Sequence, residues 1–232
     1  MIEHRPFARL GGADHGWLKA RHHFSFANYH DPQKMGWGAI RVWNDDEIAP
    51  NTGFPPHPHA DMEIITYVRS GAITHEDSLG NRGRTKAGDV QVMSAGSGIR
   101  HSEFNLEHDT TSIFQIWIEP TKSGGEATWG ARPFPKADRA GRFVTLASGQ
   151  ADGSDALPLR ADARVSGASL RAGETLAYEL GPNRHAYIVP AAGVVELNGL
   201  RLSTRDGAAV RDEPLLRITA IEDAEVVLVD AR

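Results

Sequence analysis

Gly53-Phe54-Pro55-Pro56-His57-Pro58-His59-Ala60-Asp61-Met62-Glu63 is the stretch on which the reading of this chain turns. Three prolines hold the backbone extended, and in an extended chain alternate side chains share one face, so His57 and His59 point the same way. Asp61 and Glu63 have the same parity and are expected to join them if the strand continues without a bulge. The same spacing recurs in Gly88-Asp89-Val90-Gln91-Val92-Met93-Ser94-Ala95-Gly96-Ser97-Gly98-Ile99-Arg100-His101-Ser102-Glu103-Phe104-Asn105, where His101 and Glu103 stand two apart. Two such strands crossing one barrel interior offer three imidazoles and a carboxylate to a single ion. Two positions of an octahedron then stay open for substrate and oxygen. A lone His-x-His means little in a chain with 11 histidines; the tie to a downstream His-x-Glu behind a Gly-Asp turn carries the inference. Glu63 reads as a ligand, as a partner that orients an imidazole, or as a plain strand residue. His75 lines the pocket or lies on the surface. The His22-His23 pair reads as packing, and His185, with no ligand-spaced neighbour, as structural.

Composition narrows the rest. The chain has 232 residues and no cysteine. That excludes disulfides, Cys-ligated zinc, iron–sulfur clusters and thiol nucleophiles, so any metal must be held by His and carboxylate. Gly 24 and Pro 13 favour a turn-rich, all-β chain. A net charge of −5 without long like-charge runs disfavours non-specific nucleic-acid binding. The first residues lack the apolar core of a signal peptide, and no apolar run approaches the ~18 residues of a spanning helix, so no membrane association and a cytoplasmic location are expected. Ten of the 11 histidines lie at or before His108 and all five tryptophans at or before Trp129, which puts the chemistry in the first half.

Short strands separated by turns are expected at Trp37–Trp43, Met62–Arg69, Ala72–Asp77, Asp89–Met93 and Ser112–Ile118, with Ser70-Gly71 as a hairpin turn. A second set covers Phe143–Leu146, Ala186–Val189, Val194–Asn198, Leu200–Ser203, Leu215–Ile221 and Glu225–Asp230, with Asn198-Gly199 as a type I′ hairpin. The stretch from Pro120 to Pro135 is rich in Gly and Pro and reads as a linker. The expected organisation is residues 1–119 as an N-terminal metal-binding barrel, 120–140 as linker and 141–232 as a C-terminal barrel without a metal site.

Gly53-x3-His57-x-His59-x3-Glu63-x7-Gly71 and Gly88-x5-Ser94-x-Gly96-x4-His101-x3-Asn105 resemble the two cupin motifs. Together with His23-Phe24-Ser25-Phe26-Ala27-Asn28-Tyr29, Asp61-Met62-Glu63-Ile64-Ile65-Thr66-Tyr67-Val68 and His101-Ser102-Glu103-Phe104-Asn105, they resemble the pirin family densely over residues 16–120. The resemblance implies a bicupin, two jelly-roll-like β-barrels facing each other, with one mononuclear divalent metal in the first. That metal is iron by family analogy, although the donor set also accepts Mn, Ni, Co, Cu or Zn. The family's ligands fall on His57, His59, His101 and Glu103. Some pirins look like quercetin 2,3-dioxygenases, which implies a small aromatic substrate and O2: Glu103 takes a proton from the substrate hydroxyl, and the ring opens with loss of carbon monoxide. Other pirins are described as regulatory partners. The alternative is therefore a binding module that senses a ligand or the iron redox state through a protein partner.

Overall fold

A computed structural model of the chain describes residues 1–150 and 155–232. In the first half the strands are β1 (Ile2–Arg5), β2 (Gly11–Asp14), β3 (Leu18–His22), β4 (Ile40–Ile48), β5 (Thr52–His59), β6 (Glu63–Ser70), β7 (Ala72–Asp77), β8 (Arg82–Lys86), β9 (Val90–Ser94), β10 (Ile99–Asn105), β11 (Thr111–Ile118) and β12 (Thr128–Arg132). The second half adds β13 (Val144–Ser148), β14 (Leu157–Pro158), β15 (Ala163–Leu170), β16 (Thr175–Glu179), β17 (His185–Ala192), β18 (Val195–Leu197), β19 (Leu200–Leu202), β20 (Gly207–Arg211), β21 (Leu215–Ala220) and β22 (Ala224–Ala231). Four sheets result. The order β12-β9-β6-β11-β4-β3-β2 faces β5-β10-β7-β8 in an N-terminal sandwich, and β1-β20-β17-β22-β15-β13-β14 faces β16-β21-β18-β19 in a C-terminal one. The fold is all-β, as expected. The two units are jelly-roll-type sandwiches with open edges rather than closed barrels.

The two seven-stranded sheets pack on each other. Their outer faces alternate apolar residues such as Trp43, Ile65, Tyr67, Phe114 and Ile116 with Leu146, Val165, Tyr187, Val189 and Val227 opposite, all buried in one cluster. Burial of each such large side chain contributes roughly 1.5–3 kcal/mol. Because the side-chain period of a strand is two, the alternate residues of the same strands face the sandwich interior. Along β6 these are Ile64, Thr66 and Val68, and along β11 Ile113, Gln115 and Trp117. The middle member of each set is polar, so the N-terminal interior splits into two apolar clusters, one around Ile48, Val68 and Ile113 and one around Ile64, Met93 and Ile99. A polar belt lies between them. The C-terminal interior, by contrast, is a continuous apolar cluster including Leu170, Ile188, Leu197, Leu216 and Ile218.

Three local expectations differ from what is found. Ser70-Gly71 is not a hairpin: β6 pairs with β9 and β11 while β7 pairs with β8 and β10. At Gly71 the chain turns a corner between opposing sheets. Its φ of 73° is open to glycine at little steric expense, and a Cβ there would lie 2.3 Å from Thr111 Oγ1. The segment 120–140, read as linker, contains β12 and a short 3-10 helix, Lys136–Arg139; β12 forms because β9 leaves an unpaired edge for it. The first residues do not stay with the first sandwich, since β1 pairs with β20 of the second. Asn198-Gly199 does turn with both residues at positive φ, 46° and 86°, the signature of a type I′ hairpin.

Candidate metal centre

The site is built on β5 and β10. β5 is an edge strand of its sheet, which is where Pro55, Pro56 and Pro58 are tolerated, since no ladder hydrogen bond is required of their missing N–H groups. Across the pair His101 stands opposite His57 and Ile99 opposite His59, and the register slips between His101 and Glu103. The strands approach closely there: a Cβ on Gly53 would sit 2.2 Å from the Glu103 carbonyl oxygen. The three imidazoles converge, with ring centroids 4.8 Å apart for His57–His59, 4.5 Å for His57–His101 and 5.0 Å for His59–His101. One nitrogen from each lies within 4.8 Å of the others. Among the described residues this is the one such group, and it holds three imidazoles and no carboxylate: the expected fourth ligand, Glu103, is not part of it.

The hydrogen bonds aim the lone pairs inward. His57 Nδ1 donates to the Pro55 carbonyl at 2.8 Å, which leaves Nε2 unprotonated in the neutral ring. Behind His101 stands His75. Its Nε2 donates to Asp77 at 3.0 Å, so its Nδ1 is an acceptor, 3.3 Å from His101 Nδ1. His101 therefore carries its proton on Nδ1 and presents Nε2. The Nε2 atoms of His59 and His101 are buried without a hydrogen-bond partner, the condition expected of atoms reserved for an ion. Burial, followed by the neighbouring imidazoles, pushes His59 down to about 4 and His101 to about 3. Both are neutral at pH 7, as ligation requires. The residues present therefore fit a metal.

Glu103 is buried in the polar belt. Its Oε1 accepts from Thr66 Oγ1 at 3.0 Å and Gln91 Nε2 at 2.6 Å, and its Oε2 accepts from Gln115 Nε2 at 2.8 Å. Oε2, with one donor, retains acceptor capacity. Glu63 goes elsewhere. Asp61 adopts φ of 50°, which ends β5 and sends the chain into the opposite sheet, so the parity that linked Glu63 to the histidines is broken. Its carboxylate accepts instead from Ser94 Oγ at 2.6 Å and from the Arg160 backbone N–H of the second unit at 3.0 Å. His185 packs on Trp37, with ring centroids 5.3 Å apart, away from the three imidazoles.

A cavity of ≈ 370 Å³ opens onto His57 and His59, within the range of small-molecule sites. Phe26, Phe54, Pro55, Pro56 and Trp117 line it, together with His22, Asn44, Asp46 and Gln115. Sequence reasoning missed this wall: His22 read as packing, and Asp46 drew no notice. The available signal was a run of polar residues, Asn44-Asp45-Asp46-Glu47, between the apolar Val42-Trp43 and Ile48 of one strand. Burial and the adjacent Asp45 and Glu103 raise Asp46 well above the usual carboxylate range, against the pull of Arg69.

Two outcomes follow. The His75→Ala variant loses the group that orients His101, and its metal affinity falls by about 10–100-fold; competition with a chromophoric chelator measures this, and unchanged affinity would contradict the relay. Stability of the metal-free protein falls in acid. His23, buried 2.9 Å from the Tyr187 hydroxyl, is pushed down to about 3 by burial and by Arg5 and Arg205. Below about pH 6.5 the unfolded chain takes up a proton that the folded one refuses, so stability is lost as pH falls. Between pH 7 and 5 the His23→Gln variant should lose about 2 kcal/mol less than wild type in denaturant titrations; equal losses would refute the assignment.

Residues 3–118 match the family model "Pirin", and residues 145–231 match "Quercetinase C-terminal cupin domain". A pirin-like protein of Caulobacter vibrioides is 72% identical over the full length of both chains. The quercetin 2,3-dioxygenase of Escherichia coli K12 is 42% identical, covering 99% of this chain and 98% of its own. Among solved structures, the bacterial pirin YhhW of Escherichia coli in complex with nickel(II) superposes with a TM-score of 0.93 at 41% identity, over 100% of this chain and 99% of that one. With its two cupin-type sandwiches and three converging imidazoles, the chain belongs to the pirin family.

Proposed function

We propose that this protein is a metal-dependent dioxygenase that opens the ring of a flavonol-like, quercetin-type substrate with O2, using one divalent ion per chain, Fe(II), held by His57, His59, His101 and Glu103. The observation that carries this reading is the aromatic-walled cavity of ≈ 370 Å³ on which His57 and His59 open. Phe54, Trp117 and Pro56 offer flat apolar surfaces to a planar ring system. The free acceptor capacity of Glu103 Oε2 suits it to ligate and to take a proton from a substrate hydroxyl, while Thr66, Gln91 and Gln115 fix the carboxylate. A bound ion would supply activation of substrate and oxygen. Trp117, 4.9 Å from His59 between ring centroids, excludes water from that side. The test is aerobic incubation with quercetin, following oxygen uptake and the flavonol absorbance together. Turnover is expected; none with Fe, Mn, Ni, Co or Cu would retire the reading.

A further inference from the structure

Asp46 is 3% exposed, lines the cavity and has an Oδ1 with no hydrogen-bond partner among the described residues. The other buried polar groups on that wall are engaged. His22 Nδ1 donates to Asn44 Oδ1 at 2.8 Å. Gln115 donates to Glu103 at 2.8 Å and accepts from Trp117 Nε1 at 3.2 Å. Asp46 stands on β4 in the seven-stranded sheet, whereas His57, His59 and His101 stand on β5 and β10 of the four-stranded sheet. A ligand filling the cavity therefore meets the imidazoles from one sheet and, from the other, a buried carboxyl with an unpaired oxygen. A buried carboxyl without partners is destabilising, and such groups persist where they serve a ligand.

We propose that Asp46 is a specificity-determining residue that hydrogen-bonds a ligand hydroxyl facing the seven-stranded sheet, so that the cavity selects polyhydroxylated planar ligands over those with a single metal-directed hydroxyl–carbonyl pair. A site built to bond a hydroxyl rejects the analogue lacking it, because its own buried group is left unpaired. The proposal rests on the flavonol reading for the planar ligand, its metal-directed hydroxyl–carbonyl pair and the choice of probes.

The test compares quercetin with 3-hydroxyflavone, which keeps the hydroxyl–carbonyl pair and lacks the other hydroxyls. Both are titrated under argon into nickel-loaded wild type, Asp46→Asn and Asp46→Leu, with metal content checked by elemental analysis. Wild type should prefer quercetin by at least about tenfold, and Asp46→Asn, which keeps a hydrogen-bonding group, should retain most of that preference. Asp46→Leu should lose about tenfold or more in quercetin affinity, with 3-hydroxyflavone affinity unchanged or improved and metal content intact. Equal weakening of both ligands, or no change in either, overturns the assignment. If wild type binds neither flavonol, the flavonol reading fails separately, and the thermal midpoint of ligand-free Asp46→Leu decides on Asp46. A rise of roughly 2–10 °C supports a carboxyl held open for a ligand, and a fall shows a structural one.

Discussion

The His57→Ala/His59→Ala double variant loses its metal, with affinity down by well over about 100-fold, while His185→Ala keeps one ion per chain. Removing two of the three converging imidazoles leaves, of the four proposed ligands, only His101 and Glu103 to hold an otherwise water-ligated ion. The effect should be confined to the centre, because both histidines lie on an edge strand and neither belongs to an apolar cluster. Elemental analysis of protein purified from its own cells gives the ratio, and circular dichroism checks the fold. The second sandwich provides the control: its interior is apolar and His185 lies against Trp37. A ratio near two ions per chain, or metal lost in His185→Ala and kept in the double variant, would overturn the ligand assignment.

The Asp45→Ala variant should be destabilised by about 3–5 kcal/mol, lowering the thermal midpoint by roughly 6–20 °C, with the metal retained. Asp45 is fully buried on β4 and faces away from the cavity. It accepts from Arg69 of the same sandwich and from Arg205 of the other, the latter through Nε at 2.5 Å and Nη2 at 3.0 Å. Arg205 also pairs with Glu47 at 2.9 Å and stacks over Phe7 at 4.1 Å, while Arg69 lies over Phe114 at 4.8 Å. Deleting the carboxylate leaves two guanidinium groups facing each other where the units meet, one desolvated charge short of balance. Denaturant unfolding measures the loss. A change below about 1 kcal/mol would place this pair with the weak surface ion pairs.

What could be read without a structure was whatever depends on near neighbours in the chain. The prolines around His57 and His59 hold the strand extended, and a period of two then puts both rings on one face. The lack of ligand-spaced histidines after Thr110 is a property of the sequence alone. The Asn198-Gly199 turn is equally local. Gln91 and Gln115 left a fainter trace, each a single amide inside an apolar strand, and became legible as Glu103's partners only with the opposing sheet in place.

Sequence by itself determined the all-β class, the His57-x-His59 and His101-x-Glu103 pairs and the family, because backbone preference, side-chain alternation and residue identity are properties of short segments. Tertiary structure decided everything that depends on which strand faces which. The left-handed residue Asp61 breaks the alternation and sends Glu63 to Ser94 and Arg160; the corner at Gly71 puts β6 and β7 in opposite sheets; the open edge of β9 recruits β12 and brings Trp129 to stack on His75 at 4.8 Å. Asp46 and Asp45 are adjacent in sequence, yet one lines the cavity and the other bridges the two sandwiches, because each face of β4 meets a different sheet, and the bridging contact joins residues 160 positions apart.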